Sequence, residues 1–230
     1  MTSEASSGAS GGTPTPGGDE KFSPHRVFAR ADARLTLDLA PAHLDESGVP
    51  ANGDHKLNPL FPPQRGPTRP AAVLVPLVAY PDAIKVILTL RASALRHHSG
   101  QIAFPGGKID AKDRGPVEAA LRESEEEIGL APEQIAPIGY LDPYLTGTGY
   151  RIIPVVARVD PAYRLRINPD EVDEAFEVPF DFLMDEANHE LRAAEWKGAM
   201  RSFYAMIYGE RNIWGATAGI IRNLYERLYG

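Results

Sequence analysis

Three glutamates, Glu123, Glu126 and Glu127, crowd one turn of a short segment between Pro116 and Gly129, just after a Gly106-Gly107 pair. Pro116 suits a first helical turn, where its missing N–H is no loss, and Gly129 suits the left-handed residue past a helix end. Between them Val117, Ala120, Leu121, Ser124 and Ile128 recur at helical spacing and define a buried stripe. At about 100° per residue the three glutamates share a different face, with Glu125 pointing elsewhere. Carboxylates this close repel one another unless a cation sits among them, so the helix reads as a divalent-metal platform. The competing reading is an ordinary solvated face on which Arg122 and Glu126 pair at i, i+4.

The context of that helix carries more. The pattern Arg122-Glu123-x-x-Glu126-Glu127-x-Gly129-Leu130, preceded by Gly106-Gly107, resembles the signature box of the Nudix diphosphohydrolases. Ser124 departs from it, standing where the family has a larger aliphatic residue. It faces the buried stripe, and its small size implies closer packing. The first half departs too, with Arg114 at the usual glutamate position, Asp113 beside it, and a long loop after Gly107. Upstream, Leu88-Thr89-x-Arg91-Ala92-x3-Arg96-x3-Gly100-x3-Phe104-Pro105-Gly106-Gly107 runs without a gap. This is similar to the element of the coenzyme A pyrophosphatase branch, in which the long loop and an aspartate at Asp113 are also found.

The resemblance implies roles. Arg122, Glu123, Glu126 and Glu127 are the expected catalytic group, and Glu123, Glu126, Glu127 and Gly107 the expected holders of Mg²⁺ or Mn²⁺, hard cations that favour oxygen. One of Glu171 and Glu174, in Asn168-Pro-Asp-Glu-Val-Asp-Glu-Ala-Phe-Glu-Val-Pro179, is expected over the metals as an extra ligand or base, and Glu174 is taken as that residue. A capped solvent-facing turn is the alternative for this stretch. Arg91, Arg96, Phe104, Gly106, Gly107 and Lys108 are the expected substrate contacts. Guanidinium groups bind phosphate bidentately, so Arg91 and Arg96 are assigned to phosphates, the 3′-phosphate of coenzyme A among them. Bracing of the loop by pairing with Asp110, Asp113 or the helix glutamates is the other reading of these arginines. His97 and His98 give a weaker signal.

Around these residues the elements are short. Residues 71–79 and 85–91 read as two strands about a Pro81-Asp82 turn, and 135–141 and 151–159 as two more. The turn-rich segment 142–150 between the second pair reads as a hairpin loop that, by the resemblance, lies beside the substrate. Residues 201–208 alternate like a strand. Ile220, Ile221, Leu224 and Leu228 share one face of a C-terminal helix, expected to cover the sheet opposite the glutamate helix.

The whole chain has 230 residues, 43% hydrophobic and 24% charged, which is soluble globular composition without a membrane-length apolar run. Cysteine is absent, which excludes disulfides, thiolate metal sites and cysteine nucleophiles, and fits a cytoplasmic protein. A formal net charge of −7 argues against nonspecific nucleic-acid binding. Residues 1–25, rich in Ser, Gly, Thr and Pro, read as a disordered tail. Residues 26–69 read as an extension, weakly amphipathic to about Leu44 and then Pro-rich, packed on the core or on a partner subunit. Residues 70–230 form the expected catalytic domain, an α/β Nudix fold with a mixed sheet sandwiched between helices. Homodimers are common in the family, so by analogy a homodimer is possible, and the sequence leaves the oligomeric state open.

The implied reaction is hydrolysis of a diphosphate linkage in coenzyme A or an acyl derivative, giving 3′,5′-ADP and a 4′-phosphopantetheine. The alternatives are the same chemistry on ADP-ribose, a nucleotide sugar or another nucleoside diphosphate, and a nucleotide-sensing module without turnover. Intact Arg122, Glu123, Glu126 and Glu127 speak against a sensor.

Overall fold

The computed structural model describes residues 20–45, 48–63, 67–94, 99–196 and 198–230. Arg96, His97 and His98 lie outside them, as do the first nineteen residues of the expected tail. In order the chain forms α1 (Pro24–Arg34), α2 (Pro41–Leu44), β1 (Asn52–Gly53) and α3 (Asp54–Leu57). There follow β2 (Arg69–Ala79), β3 (Ile84–Arg91), β4 (Ile102–Ala103), β5 (Gly106–Lys108) and α4 (Pro116–Ile128). Next come β6 (Ile135–Tyr140), β7 (Tyr144–Leu145), β8 (Tyr150–Val159), β9 (Val172–Pro179) and α5 (Phe180–Met184). The chain closes with β10 (Glu190–Trp196), β11 (Ala199–Tyr208), β12 (Arg211–Trp214) and α6 (Ala216–Tyr229).

The central sheet is mixed. β2 runs parallel to β8 over ten residue pairs, from Arg69↔Tyr150 to Val78↔Val159. β3 pairs antiparallel with the end of β2, and β5 antiparallel with its beginning through Val73↔Gly106 and Ala72↔Gly107. Both faces of this sheet are covered, and the period of two along the strands shows it. Ala72, Leu74, Val78 and Ile87 point into a core with Ala119, Ala120 and Ile128 of α4. Val75, Leu77, Val86 and Leu88 point into a second core with Phe28 of α1 and Ile220, Ile221, Leu224 and Leu228 of α6. The two helices therefore lie on opposite faces, as their apolar stripes require. Full burial of each Val, Leu, Ile or Phe among them stabilises by about 1.5–3 kcal/mol, and of each Ala by less.

Three elements differ from the expectation. Residues 168–179 end in a strand rather than a turn: β9 pairs with β3 from Lys85↔Pro179 to Arg91↔Val172. Glu174 thereby becomes a strand residue opposite Leu90. The strand expected at 201–208 is the middle one of a separate antiparallel sheet, β10-β11-β12. All seven residues of β10 are exposed, so no apolar alternation announced it. Within the expected tail, Glu20–Phe22 makes a 3-10 turn, and the Phe22 ring packs edge-on against Phe180 and Tyr229.

Candidate active site

α4 starts at Pro116 and ends at Gly129, whose φ of 66° takes the left-handed conformation that a Cβ disfavours. The amide of Gly129 donates to the Glu125 carbonyl, closing the helix. Ser124 is fully buried, and its hydroxyl donates to the Ala120 carbonyl at 2.7 Å. That bond satisfies the hydroxyl, so it needs no other partner inside the core.

The buried edge of this helix meets the Gly106-Gly107 turn. Glu127, 4% exposed, accepts the Gly106 N–H at 3.0 Å and lies 3.6 Å from Arg91 Nη1. Burial pushes its carboxyl up to about 7, against the pull of Gly106 and Arg91, and the charges of Glu123 and Glu171 push the same way. Glu123 lies beside Gly107, and burial raises it too, opposed by Arg122. Arg122 ties the region together. It forks onto Asp113 at 2.9 and 3.0 Å and donates to the Lys108 carbonyl, Glu123 and Glu126. That fork folds the long loop back on α4. Arg114, at the atypical position, is exposed and pairs with Glu118.

The expected metal group is only partly assembled. Glu126 is half exposed and held by Arg122, on the outer side of the helix. Among the described residues no three carboxylates converge to hold one ion. Of the two acids in residues 168–179, Glu171 is the one that faces the cavity. Glu171 lines the cavity with Glu123 and Glu127 and repels both. Glu174 is engaged elsewhere by a two-pronged pair with Arg211 at 2.7 and 3.0 Å. Of these two acids, then, Glu174 is paired with Arg211 in β9, while Glu171, just before β9, lies at the cavity wall. The inner donors are all carboxylate oxygen, and a buried carboxyl pushed up by like charge is the arrangement a hard divalent cation relieves. By that test the residues fit such an ion.

The two glycines separate by role. A Cβ on Gly106, where φ is 150°, would lie 2.4 Å from the Ala72 carbonyl oxygen and 2.6 Å from the Val73 Cα. Gly106→Ala should therefore disturb the β2–β5 pairing and lower the melting temperature. The atoms nearest a Cβ on Gly107 would be those of the Glu123 carboxylate, from 2.5 Å. Gly107→Ala should leave the melting temperature within a few degrees and cut turnover about ten- to a hundredfold by displacing Glu123. Equal thermal losses for the two variants would contradict this division.

These groups open into one cavity of about 1450 Å³. Of the expected substrate contacts, Arg91, Phe104, Gly106, Gly107 and Lys108 line it. Phe104 is 4% exposed and belongs to the core with Leu88 and Ile220, so most of its surface serves packing. Thr146, Gly147, Thr148 and Tyr150 of the turn-rich loop line it as well. Sequence reasoning missed the rest of the wall: His55, Asn58 and Phe61 from the extension, and Trp196, Arg201, Phe203 and Trp214 from β10–β12. The one available signal was that both tryptophans of the chain fall in this short polar region.

Comparison with known proteins agrees with this architecture. Residues 68–200 match the NUDIX domain. A protein named uncharacterized Nudix hydrolase NudL, from Pectobacterium atrosepticum, is 39% identical over 167 residues, 71% of this chain and 86% of its own length. Its namesake from Escherichia coli K12 is 39% identical over 156 residues, 68% and 81% of the two chains. Among solved structures, a MutT/nudix family protein from Enterococcus faecalis superposes with TM-score 0.46 and 17% identity, over 73% of this chain and 64% of that one. The domain match spans more than half the chain and the identity extends across most of both sequences, so this protein belongs to the Nudix family and is one of its diphosphatases.

Proposed function

We propose that the chain hydrolyses the diphosphate linkage of coenzyme A or an acyl derivative, releasing 3′,5′-ADP and a 4′-phosphopantetheine. The observation that carries the reading is the cavity itself. One end holds Glu123, Glu127, Glu171 and Arg91 around the Gly106-Gly107 turn, and the other is largely aromatic. At about 1450 Å³ it exceeds the usual size of a small-ligand pocket, which suits a long substrate with a charged middle and bulky ends. The uninterrupted element from Leu88 to Gly107, similar to that of the coenzyme A pyrophosphatase branch, points the same way.

In this reading Glu123, Glu126, Glu127 and Glu171 would hold the divalent cation, Mg²⁺ or Mn²⁺, once it draws their side chains together. A bound divalent cation would neutralise the diphosphate and lower the pKa of a water. The chain supplies the rest by positioning. Arg91 places a guanidinium beside the carboxylates, where it can donate to a diphosphate oxygen. The Gly106 N–H fixes Glu127, and Arg122 fixes Glu123 and the loop that carries Asp113. Glu171, outside that network and held by a long bond from the Asn168 side-chain amide at 3.4 Å, is the carboxylate placed to accept a proton or take a further ligand position.

The test is product analysis with coenzyme A, ADP-ribose and a dinucleoside polyphosphate, each with Mg²⁺ or Mn²⁺. 3′,5′-ADP from coenzyme A at the highest kcat/KM is the expected result, abolished by a chelator and restored by either metal. A higher kcat/KM for ADP-ribose would replace the coenzyme A reading, and no turnover of any substrate would favour a sensor.

A further inference from the structure

The aromatic end of the cavity carries a cation that the diphosphate reading leaves unused. Asn58 docks the segment before β2 onto β11 as a strand would: its side chain accepts the Ser202 N–H at 2.8 Å and donates to the Ser202 carbonyl at 2.9 Å. That bond sets Phe61 beneath the neighbouring Arg201, whose guanidinium carbon lies 3.4 Å from the Phe61 ring centroid and 5.6 Å from that of Trp196. Arg201 Nε is buried without a hydrogen-bond partner, and among the described residues no carboxylate forms an ion pair with this side chain. Of the other cavity groups, Arg91 is drawn to Glu127, Lys108 is exposed, and Asp54 is occupied by the Tyr144 hydroxyl and the Gly147 N–H.

A guanidinium resting on a ring keeps its charge while its N–H groups stay in plane, pre-set for a forked bond to an anion. Arg201 is half-buried, and shielding its Nε from water without an acceptor is unfavourable; an anion forked onto the guanidinium would supply that acceptor. We infer that Arg201, braced on Phe61, binds a phosphate monoester on the substrate's nucleoside half, separate from the diphosphate being cut. This rests on the diphosphatase reading and refines it: the 3′-phosphate contact, sought at Arg91 or Arg96 in the sequence, falls to Arg201. Selection of substrates that carry the extra phosphate follows.

Binding of adenosine 3′,5′-bisphosphate and of 5′-AMP, measured by calorimetry on the full chain, tests this without turnover. The wild type should bind the bisphosphate at least tenfold more tightly. Arg201→Ala should weaken the bisphosphate ten- to a hundredfold and AMP by no more than about twofold. Arg201→Lys, which keeps charge but not the planar fork, and Phe61→Leu, which removes the ring beneath it, should fall between. Thermal melts accompany each variant, and the milder two carry the comparison if Arg201→Ala does not fold. Equal affinity of the wild type for both nucleotides overturns the inference, as does equal weakening of both in the variants, which would make Arg201 a brace between Phe61 and β11. A wild type that prefers ADP-ribose to coenzyme A yet still favours the bisphosphate would sink the coenzyme A reading and leave Arg201 standing.

Discussion

Glu127→Gln should lower turnover at saturating Mg²⁺ by at least about a hundredfold and leave the fold intact, because the amide keeps the shape and the Gly106 bond but removes the charge. Near-normal turnover would remove Glu127 from the catalytic group. The same substitution carries a stability signature independent of activity. Glu127 sits at about 7 in the folded chain against an ordinary 4.5. A carboxyl raised on folding holds its proton below 4.5 in both states, so its contribution is intact there. The contribution falls away as pH rises from 4.5 through about 7, where the folded state must ionise a buried group. At pH 8 the cost is on the order of 3 kcal/mol. In chelator, Glu127→Gln should therefore melt higher than wild type at pH 8 and together with it near pH 4.5. Added Mg²⁺ should raise the wild-type melting temperature and leave the variant nearly unmoved. An unchanged wild-type melt with Mg²⁺ would count against the carboxylates as the ion's holders.

Arg122→Ala should cut kcat about ten- to a hundredfold and destabilise the fold by about 1–3 kcal/mol, since it strips the partner from Asp113 and releases both Glu123 and Glu126. Arg122 acts through these groups, so KM should move less than kcat. Arg122→Lys should recover little, because an ammonium cannot reproduce the fork onto Asp113. The Arg122 guanidinium holds the Asp113 carboxyl below its ordinary range. A depressed carboxyl stabilises above its unfolded value of about 3.8 and loses that contribution as pH falls through the lower folded value. The stability gap between wild type and Arg122→Ala should thus be full near neutrality and narrow in acid. A gap constant with pH, or a double substitution with Asp113→Ala whose cost equals the sum of the single ones, would contradict the coupling.

Local rules determined much of this protein from its sequence. Pro116 and Gly129 bounded α4, the 3.6-residue period placed Ser124 and Ile128 inside, and the short apolar runs at 71–79 and 85–91 about the Pro81-Asp82 turn marked β2 and β3 as strands. The glutamates and the Gly106-Gly107 turn were readable because their spacing along one helix and one loop is itself the signal. Tertiary structure alone decided the rest. Glu171 and Glu174 are three residues apart and chemically alike, and only the path of β9 beside β3 and the presence of Arg211 separate them. Glu126 and Glu127 are adjacent, yet one is held outside by Arg122 and the other is buried against Gly106. The aromatic wall joins residues near position 60 to residues near 200 through Asn58 and Ser202. No period or local motif encodes a contact across that separation, because it forms only once the segment before β2 has docked against β11.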